Sequence, residues 1–434
     1  MNSAESAALA LVCKERGWNR TDDIKNADLA LINTCSVRAT AEKRAFGRIA
    51  YFVSVKKNLN HKLILVAAGC MAQRLSGRLR EKHPEIDYVM GTSRRSDFPL
   101  ILEAVENGAK AVFDLDEKPV FSFSASHLEE GQFRSFIPIM HGCGNFCAYC
   151  IVPYVRGREV SRDPAGVTRE IALVGEKGAR EITLLGQNVN SYNWNPRGDN
   201  SGVEFPALLK LAADAAAQSG VKWIRFLSAN PGGFSLKTIE VMAGNNIFAR
   251  HLHLPVQHGS DRMLKAMNRG YTSGSFLELV SAIRRAMPGI TLSTDILVGF
   301  PGETEADVEK TLNLMNEVKF LYSYMYHFNP REGTAAFDLP GRIEDEIKKE
   351  RLSRVIKLQK KHTTELLNAR IGSEEIVLVE GISRKNADEL ITRTEKDEMV
   401  AVPGHKSMIG SFGRITVSAL KGNTLRAREI SIVV

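Results

Sequence analysis

Three cysteines within eight residues are the strongest chemical signal in this sequence; they form the segment Cys143-Gly-Asn-Phe-Cys147-Ala-Tyr-Cys150. Three thiolates can bind three irons of a four-iron cluster, which leaves the fourth iron open to a substrate. A structural zinc site is the alternative, but it normally needs four ligands, and only His141 or a distant cysteine could supply the fourth. The spacing therefore favours an iron–sulfur cluster with one open iron.

The composition is that of a globular protein with reduced thiols. The 434 residues are 44% hydrophobic, which suits two or three domains. No apolar run approaches the roughly 18 residues of a membrane helix, and the first residues carry charges where a signal peptide is apolar. We expect a cytoplasmic protein without a membrane span, whose six cysteines form no disulfides. The net charge of +8 favours a polyanionic partner such as nucleic acid.

Residues 1–125 predict a small α/β domain. Apolar runs at residues 29–33 and 62–67 have the length of buried parallel strands, and helical patterns at residues 4–16 and 39–55 accompany them. Alternating helices and short apolar strands of this kind build a parallel sheet covered on its faces.

A segment without a clear period, residues 123–133, predicts a linker to a second unit, residues 133–366, in which strands and helices alternate. Six strand–helix units over roughly 200 residues predict an open (β/α)6 barrel, with functional residues at the carboxyl ends of its strands. The predicted strands are residues 136–140, 182–185, 223–227, 251–254, 291–298 and 323–328, and the helices include residues 261–287 and 304–318.

The carboxyl-terminal part predicts a basic helix and a small all-β barrel. Residues 341–362 carry eight Lys and Arg against four acids, which is typical of a solvated helix face and also compatible with nucleic-acid binding. Residues 368–434 are rich in Val, Ile and Thr, with turns that contain Gly, Asn and Asp. They form the third predicted domain, either an RNA-binding barrel or one that only packs.

The cysteine segment, with an aromatic residue before its third cysteine, resembles the radical S-adenosylmethionine (SAM) superfamily. In that superfamily the open iron binds SAM, and one electron from the cluster cleaves it to a 5′-deoxyadenosyl radical. Four further segments resemble one branch, the methylthiotransferases. They are Cys150-Ile-Val-Pro-Tyr-Val-Arg156-Gly-Arg158-Glu159-Val-Ser-Arg162, Leu185-Gly-Gln187-Asn188-Val-Asn190-Ser-Tyr192, Leu254-Pro-Val-Gln257-His-Gly-Ser260-Asp261 and Ser293-Thr-Asp295-Ile-Leu-Val-Gly299-Phe-Pro301-Gly-Glu303-Thr304.

The resemblance covers all three predicted domains and implies a methylthiotransferase domain, a radical SAM barrel and a TRAM domain. It implies two [4Fe-4S] clusters and SAM as cofactors, with Cys143, Cys147 and Cys150 binding the first cluster. Asn33-Thr-Cys35-Ser-Val-Arg38 and Ala68-Gly-Cys70-Met-Ala-Gln73 resemble two of the three cysteine motifs that bind the second, auxiliary cluster. The alternative for these two cysteines is a pair of buried, inert thiols.

Other residues are candidate contacts of the cofactor or the RNA. Tyr149 stands where the superfamily contacts the adenine of SAM, or else it is a packed aromatic residue. Gln187 and Asn188 are at a strand end, where an amide can bind ribose or base hydroxyls or cap a loop. Arg156 and Arg158 could meet an RNA phosphate or the SAM carboxylate, or form surface salt bridges.

The sequence departs from the family at its beginning. The first auxiliary cysteine normally stands two residues before a Met-Asn pair, and this chain begins Met1-Asn2-Ser3. Cys13 does not replace it, because about nine residues of helix place it roughly 14 Å away. We expect Cys13 to be an ordinary packed cysteine. We also expect a late start codon or a missing amino end, and poor retention of the auxiliary cluster beside an intact radical SAM cluster.

The implied reaction adds a methylthio group to C2 of an N6-isopentenyladenosine beside the transfer RNA anticodon. Residues 186–192 fit this branch better than the branch that modifies a ribosomal protein aspartate. A noncatalytic RNA-binding protein with structural zinc is the remaining alternative. The implied partners are transfer RNA, an electron donor such as flavodoxin or ferredoxin, and a sulfur source. We expect a monomer.

Overall fold

The computed structural model describes residues 1–36, 39–109, 123, 132–198, 202–384 and 386–433, and most of the predicted linker at residues 123–133 lies outside them. The described residues form an α/β unit, a parallel α/β barrel and a small β-barrel in that order. The fold class predicted from the sequence is therefore confirmed.

The amino-terminal unit is a parallel sheet with helices on both faces. In the strand over residues 64–69, Leu65 and Ala67 pack toward the helix over residues 39–58, and Val66 and Ala68 pack toward the helices over residues 2–15 and 98–106. Both faces of this strand are therefore buried. The strands are β1 (Leu29–Thr34), β2 (Ile64–Gly69) and β3 (Tyr88–Met90), and the helices are α1 (Asn2–Glu15), α2 (Ala39–Asn58), α3 (Cys70–Arg74), α4 (Ser76–Lys82) and α5 (Phe98–Glu106). The sequence pattern predicts β1 and β2 but not β3, because three residues show no period.

The central unit alternates strands and helices, as predicted. Its strands are β4 (Arg134–Pro138), β5 (Met140–His141), β6 (Val160–Ser161), β7 (Glu181–Leu185), β8 (Asn193–Trp194), β9 (Val203–Glu204), β10 (Trp223–Phe226), β11 (His251–His253), β12 (Thr291–Val298) and β13 (Tyr322–His327). Its helices are α6 (Val152–Arg156), α7 (Pro164–Glu176), α8 (Phe205–Ser219), α9 (Leu236–Ala243), α10 (Asp261–Ala266), α11 (Ser273–Ala286) and α12 (Glu305–Val318).

Six of these strands form an open parallel barrel. β4, β7 and β10 pair in parallel, as do β11, β12 and β13, and a bridge between Ile224 and Phe248 joins the two groups. Among the strand pairs of the described residues, none joins β4 to β13, so the barrel is open. Ile182 and Leu184 pack in the core under the helices, and the residue between them, Thr183, faces the barrel interior.

The predicted helix over residues 261–287 is wrong, because two helices, α10 and α11, replace it. Asn268 and Gly270 in the intervening turn have positive φ, which a helix does not allow. Thr272 then caps α11 through a reciprocal pair of hydrogen bonds with Ser275. The break matters because the turn reaches the cysteine segment.

The basic helix is α13 (Asp345–Asn368), which begins four residues after the predicted start at residue 341. One of its faces is buried: Arg351 pairs with Glu303 at 2.7 Å, and Gln359 donates to the carbonyl of Phe320 at 2.8 Å. Part of this charged helix therefore packs on the barrel and is not a solvated face throughout.

The carboxyl-terminal unit is a closed five-stranded barrel within the described residues. Its strands are β14 (Glu374–Ile382), β15 (Glu389–Thr394), β16 (Met399–Pro403), β17 (Phe412–Lys421), β18 (Thr424–Ala427) and β19 (Ser431–Val433). The order β14-β15-β16-β18-β17 closes into a barrel because β14 also pairs with β17. β19 pairs with the first residues of β17, Phe412–Arg414, which do not pair with β18. Among the described helices of the whole chain, none is long and apolar enough to cross a membrane.

The turn after β15 closes the amino-terminal end of the parallel barrel. Arg225 of β10 donates to the carbonyls of Thr394 and Glu395, both at 3.0 Å. Tyr322, the first residue of β13, donates its hydroxyl to Asp397 at 2.5 Å. The β-barrel is therefore fixed at the end of the parallel barrel opposite to the carboxyl ends of its strands.

Replacing Asp397 by Asn should loosen this contact. Burial alone would raise the pKa of Asp397, but His251, Arg393 and Arg225 hold it at about 2. The carboxylate therefore stabilises the fold above its unfolded pKa, and this contribution is lost as the pH falls from about 4 to about 2. At pH 7 we expect Asp397→Asn to lower the free energy of unfolding by about 2 kcal/mol in urea titrations.

The matched control is Asp388→Asn, at an exposed aspartate of the same β-barrel. A stability loss that is equal in both variants, or one that does not shrink below pH 4, would contradict this assignment.

Candidate metal centre

The cysteine segment is a loop at the carboxyl end of β4, directly after β5. Two hydrogen bonds fix its beginning: the N–H of Gly142 donates to Oε1 of Gln187 at 2.6 Å, and the N–H of Cys143 donates to the carbonyl of Gly157 at 3.0 Å. Gly142 has a φ of +81°, and a Cβ there would lie 2.0 Å from the carbonyl oxygen of Arg158. Glycine is required where the loop passes this close to the turn after α6.

The three thiols of this loop are near enough to interact electrostatically. Burial raises the pKa of Cys143 to about 11 and that of Cys150 to about 12, so the free thiols are protonated at neutral pH and a bound metal must displace their protons. Nη1 of Arg269 donates to Sγ of Cys147 at 3.2 Å, which brings a positive charge to the group. Soft sulfur donors beside a guanidinium suit a thiolate-bound iron cluster.

Arg269 is a site residue that the sequence analysis missed. It lies in the turn between α10 and α11, and its Nη2 also donates to the carbonyl of Pro255 at 3.0 Å. In the same turn, the side-chain amide of Asn268 donates to the carbonyls of Asn145 and Phe146 in the cysteine loop, at 3.1 and 3.0 Å. The turn therefore holds the loop from a second side. The only signal in the sequence was the Asn-Arg-Gly interruption of a helical pattern.

The candidate SAM contacts all lie close to the cysteine loop. Tyr149 packs against a buried cluster that contains Met263 and Phe300, and burial raises its pKa. Gln187 holds the loop through its hydrogen bond to Gly142. Asn188 is buried; its Nδ2 bonds to Oγ of a neighbouring serine, and its Oδ1 has no hydrogen-bond partner among the described residues. Contact of these three side chains with SAM stays a prediction.

Cys35 and Cys70 come together at one edge of the amino-terminal sheet. They directly follow β1 and β2, whose last residues, Thr34 and Gly69, are paired. Cys70 is buried and Cys35 half-buried, and the two thiols interact electrostatically. Cys13 lies elsewhere, packed in the hydrophobic cluster of α1, β2 and α5. The described residues therefore bring two thiols to this edge.

Among the described residues, His141 does not join the three thiols in a metal-binding group. Nδ1 of His141, the candidate fourth ligand, lies 3.2 Å from Nη1 of Arg156, and burial together with Arg156 lowers the pKa of His141 to about 3. In the part of the chain that the structure describes, no group of three or more Cys, His, Asp or Glu is arranged to hold a metal ion.

The two arginines after the loop do not occupy equivalent positions. The expectation of an RNA or surface contact for Arg156 is wrong, because Arg156 is buried between the barrel and the amino-terminal unit, where its guanidinium binds Glu5 and Cys70. Arg158 is exposed, and its guanidinium carbon lies 5.5 Å from the centre of the Phe146 ring. Arg156 is the last residue of α6, whereas Arg158 follows the turn at Gly157, so only Arg156 is placed in the interface.

Comparisons with known families match each unit. Residues 137–315 match the radical SAM superfamily, residues 1–91 match the uncharacterized protein family UPF0004, and residues 368–430 match the TRAM domain.

Curated relatives are similar along almost the whole chain. A tRNA-2-methylthio-N(6)-dimethylallyladenosine synthase of Treponema pallidum is 47% identical, over 99% of this chain and 96% of that protein. The proteins of the same name from Treponema denticola and Moorella thermoacetica are 45% and 37% identical, over 98% and 96% of this chain and 97% and 93% of those proteins.

Solved structures resemble the fold at low sequence identity. The radical SAM methyltransferase TsrM of Kitasatospora setae matches with a TM-score of 0.60 and 15% identity, over 77% of this chain and 73% of that chain. The cobalamin-dependent radical SAM enzyme OxsB matches with a TM-score of 0.51 and 10% identity, over 82% of this chain and 54% of that chain.

Replacing Arg269 by Met should weaken iron binding at the loop, because Cys147 loses its cationic donor. A hydrogen bond to a charged group contributes about 1.5–3 kcal/mol, so we expect a chelator to remove iron from the reconstituted protein roughly tenfold faster. The decay of visible absorbance measures this rate. Lys265→Met, at an exposed position of α10, is the control. Equal rates for the wild type and Arg269→Met would contradict the role of Arg269.

Proposed function

Because this chain belongs to the radical SAM methylthiotransferase family, we propose that it adds a methylthio group to C2 of N6-isopentenyladenosine beside the anticodon of transfer RNA. The names of relatives that are 45–47% identical over almost the full chain support this substrate. The observation that carries the proposal is the loop of Cys143, Cys147 and Cys150, held at the carboxyl end of a barrel strand, where this fold places its reactive groups.

The cysteine loop is the proposed site of the radical SAM cluster. When bound, the cluster supplies the electron that cleaves SAM. The protein's own part is to hold the thiols: Gln187 fixes the start of the loop, and Arg269 sets a positive charge beside Cys147. Tyr149, Gln187 and Asn188 are the proposed contacts of SAM. The buried, unpartnered Oδ1 of Asn188 offers an acceptor that suits a ribose hydroxyl.

Cys35 and Cys70 are the proposed ligands of the auxiliary cluster. Their place at the ends of two paired strands supports this role. The described residues supply two thiols there, whereas the family motifs provide three, so we derive no chemical step through this second cluster.

The remaining proposals concern partners. The match of residues 368–430 to the TRAM domain and the net charge of +8 support transfer RNA as the substrate. An electron donor such as flavodoxin or ferredoxin and a separate sulfur source complete the proposed reaction. We propose that the protein acts in the cytoplasm as a monomer.

Variants of individual cysteines should separate the two sites. Cys143→Ala should abolish formation of 5′-deoxyadenosine from SAM, because the loop then lacks one of three ligands. Cys35→Ala and Cys70→Ala should retain at least half of that formation and yield no methylthiolated nucleoside. Mass spectrometry measures both products, with an anticodon stem-loop that bears isopentenyladenosine as the substrate. Cys13→Ala is the control.

Loss of 5′-deoxyadenosine in all three variants would contradict this division of roles. Methylthiolation of a ribosomal protein aspartate in place of the RNA would identify the other branch of the family. Bound zinc without SAM cleavage would identify a noncatalytic protein.

A further inference from the structure

Arg156 lies buried between the amino-terminal unit and the barrel. Its Nε donates to Sγ of Cys70 at 3.2 Å, and its Nη1 donates to the carboxylate of Glu5 at 2.7 Å. Nη1 also lies 3.2 Å from Nδ1 of His141. Arg95 forms a second ion pair with Glu5 at 2.6 Å. Because 4% of the Arg156 side chain and 2% of the Glu5 side chain are exposed, solvent screens this pair very little.

The groups in this cluster come from different parts of the fold. Glu5 is in α1, Cys70 begins α3 and Arg95 follows β3, whereas Arg156 ends α6 in the barrel unit. A guanidinium carries five N–H donors in a planar fork, so it can bind a carboxylate and a thiol together. A single side chain therefore joins the two units at the place where a proposed metal ligand is held.

The charges of the cluster make this contact depend on Arg156. Burial alone would raise the pKa of Glu5, but Arg156 and Arg95 lower it to about 2. The carboxylate is therefore ionised at neutral pH. Without Arg156, Glu5 keeps only Arg95 of its own unit as a partner, so the buried ion pair that joins the two units is lost.

α6 connects Arg156 to the cysteine loop. The helix starts two residues after Cys150, and Arg156 is its last residue. The next residue, Gly157, accepts the N–H of Cys143 through its carbonyl at 3.0 Å. One end of the cysteine loop therefore leads into α6, and the other end is hydrogen-bonded to Gly157, the residue that follows α6. The last residue of α6, Arg156, binds Cys70 and Glu5.

Two smaller contacts support the same interface. Ile151 and Val155 form a small buried cluster with Cys70. The hydroxyl of Thr92 donates to the carbonyl of Val155 at 2.6 Å. These contacts stabilise the same interface as Arg156, but they are uncharged and cannot pair with the carboxylate of Glu5.

We propose that Arg156 is a positioning residue: it holds the Cys35 and Cys70 edge of the amino-terminal unit in a fixed place relative to the loop of Cys143, Cys147 and Cys150. This inference rests on the proposed function, in which the loop binds the radical SAM cluster and Cys35 and Cys70 are proposed ligands of the auxiliary cluster. Without the guanidinium of Arg156, the cysteine loop still forms in the barrel. The Cys35 and Cys70 edge of the amino-terminal unit is then no longer fixed relative to that loop.

The test measures how well Cys70 is protected in the iron-free, full-length chain. The variants are Arg156→Met, Arg156→Lys, Glu5→Gln and, as the control at an exposed neighbouring arginine, Arg158→Met. Each protein is treated with a maleimide at pH 7, and labelling of each cysteine is followed by mass spectrometry. Labelling of Cys13, which lies away from the interface, is the internal reference.

We expect Cys70 to be labelled roughly tenfold faster in Arg156→Met, because local opening exposes it. Arg158→Met should match the wild type, and Arg156→Lys should restore part of the protection, since Lys keeps the charge but not the fork of donors. Glu5→Gln should also speed labelling, although it leaves the barrel unchanged. Unchanged labelling of Cys70 in both Arg156→Met and Glu5→Gln would overturn the proposal.

A second readout separates positioning from folding of the loop. Iron content is measured after anaerobic reconstitution in a background in which Cys35 and Cys70 are both replaced by Ala. In this background, Arg156→Met and Glu5→Gln should each bind as much iron as the chain that keeps Arg156 and Glu5. In the otherwise unaltered chain, both variants should form 5′-deoxyadenosine within about twofold of the wild type. Loss of iron in both the Arg156→Met and the Glu5→Gln variant would show that the charged side chains around Arg156 are needed to fold the loop, and this result would overturn the proposal.

The ratio of products completes the test. Arg156→Met should release 5′-deoxyadenosine with at least tenfold less methylthiolated nucleoside per SAM cleaved than the wild type, and Arg156→Lys should recover part of this coupling. An unchanged ratio in Arg156→Met would overturn the proposal. A wild type that cleaves SAM but never methylthiolates the RNA would overturn the proposed function instead, whatever the labelling of Cys70.

Discussion

Holding a loop of three cysteines at the end of a barrel strand is the constraint on which the remaining structure depends. A loop of this kind has no periodic hydrogen bonds of its own, so other elements must supply them. Gln187 holds its first residue, Asn268 and Arg269 reach it from the turn between two helices, and Gly157 receives the N–H of Cys143. Gln187, Asn268 and Arg269 lie far from the loop in sequence, so the loop is held only after these parts of the barrel pack around it.

The two outer units contact opposite ends of the barrel. The β-barrel closes the amino-terminal end through Arg225 and Asp397, and the amino-terminal unit meets the carboxyl-terminal end at Arg156. Both contacts use buried guanidinium groups, whose several donors bind carbonyls and carboxylates of another unit. The carboxyl-terminal end of the barrel is thus left to the cysteine loop and the amino-terminal unit.

Much of the fold was readable in the sequence because its strands are continuous apolar runs. β12 has the predicted bounds, and the other five barrel strands differ from prediction by one or two residues at one or both ends. The residues that contact the two cysteine sites could not be predicted from the sequence. Arg269 reaches Cys147 across 122 residues, and Arg156 reaches Glu5 across 151. Such contacts arise from tertiary packing, which leaves no periodic pattern in the chain.

The measurement that tests the central claim most directly is iron and labile sulfide per chain after anaerobic reconstitution. It is made on a variant in which Cys35 and Cys70 are both replaced by Ala, so that only the loop binds metal. We expect about four iron atoms and a similar amount of sulfide, with an electron paramagnetic resonance signal of the reduced cluster that changes when SAM is added. Zinc without iron, or a signal that SAM leaves unchanged, would contradict it.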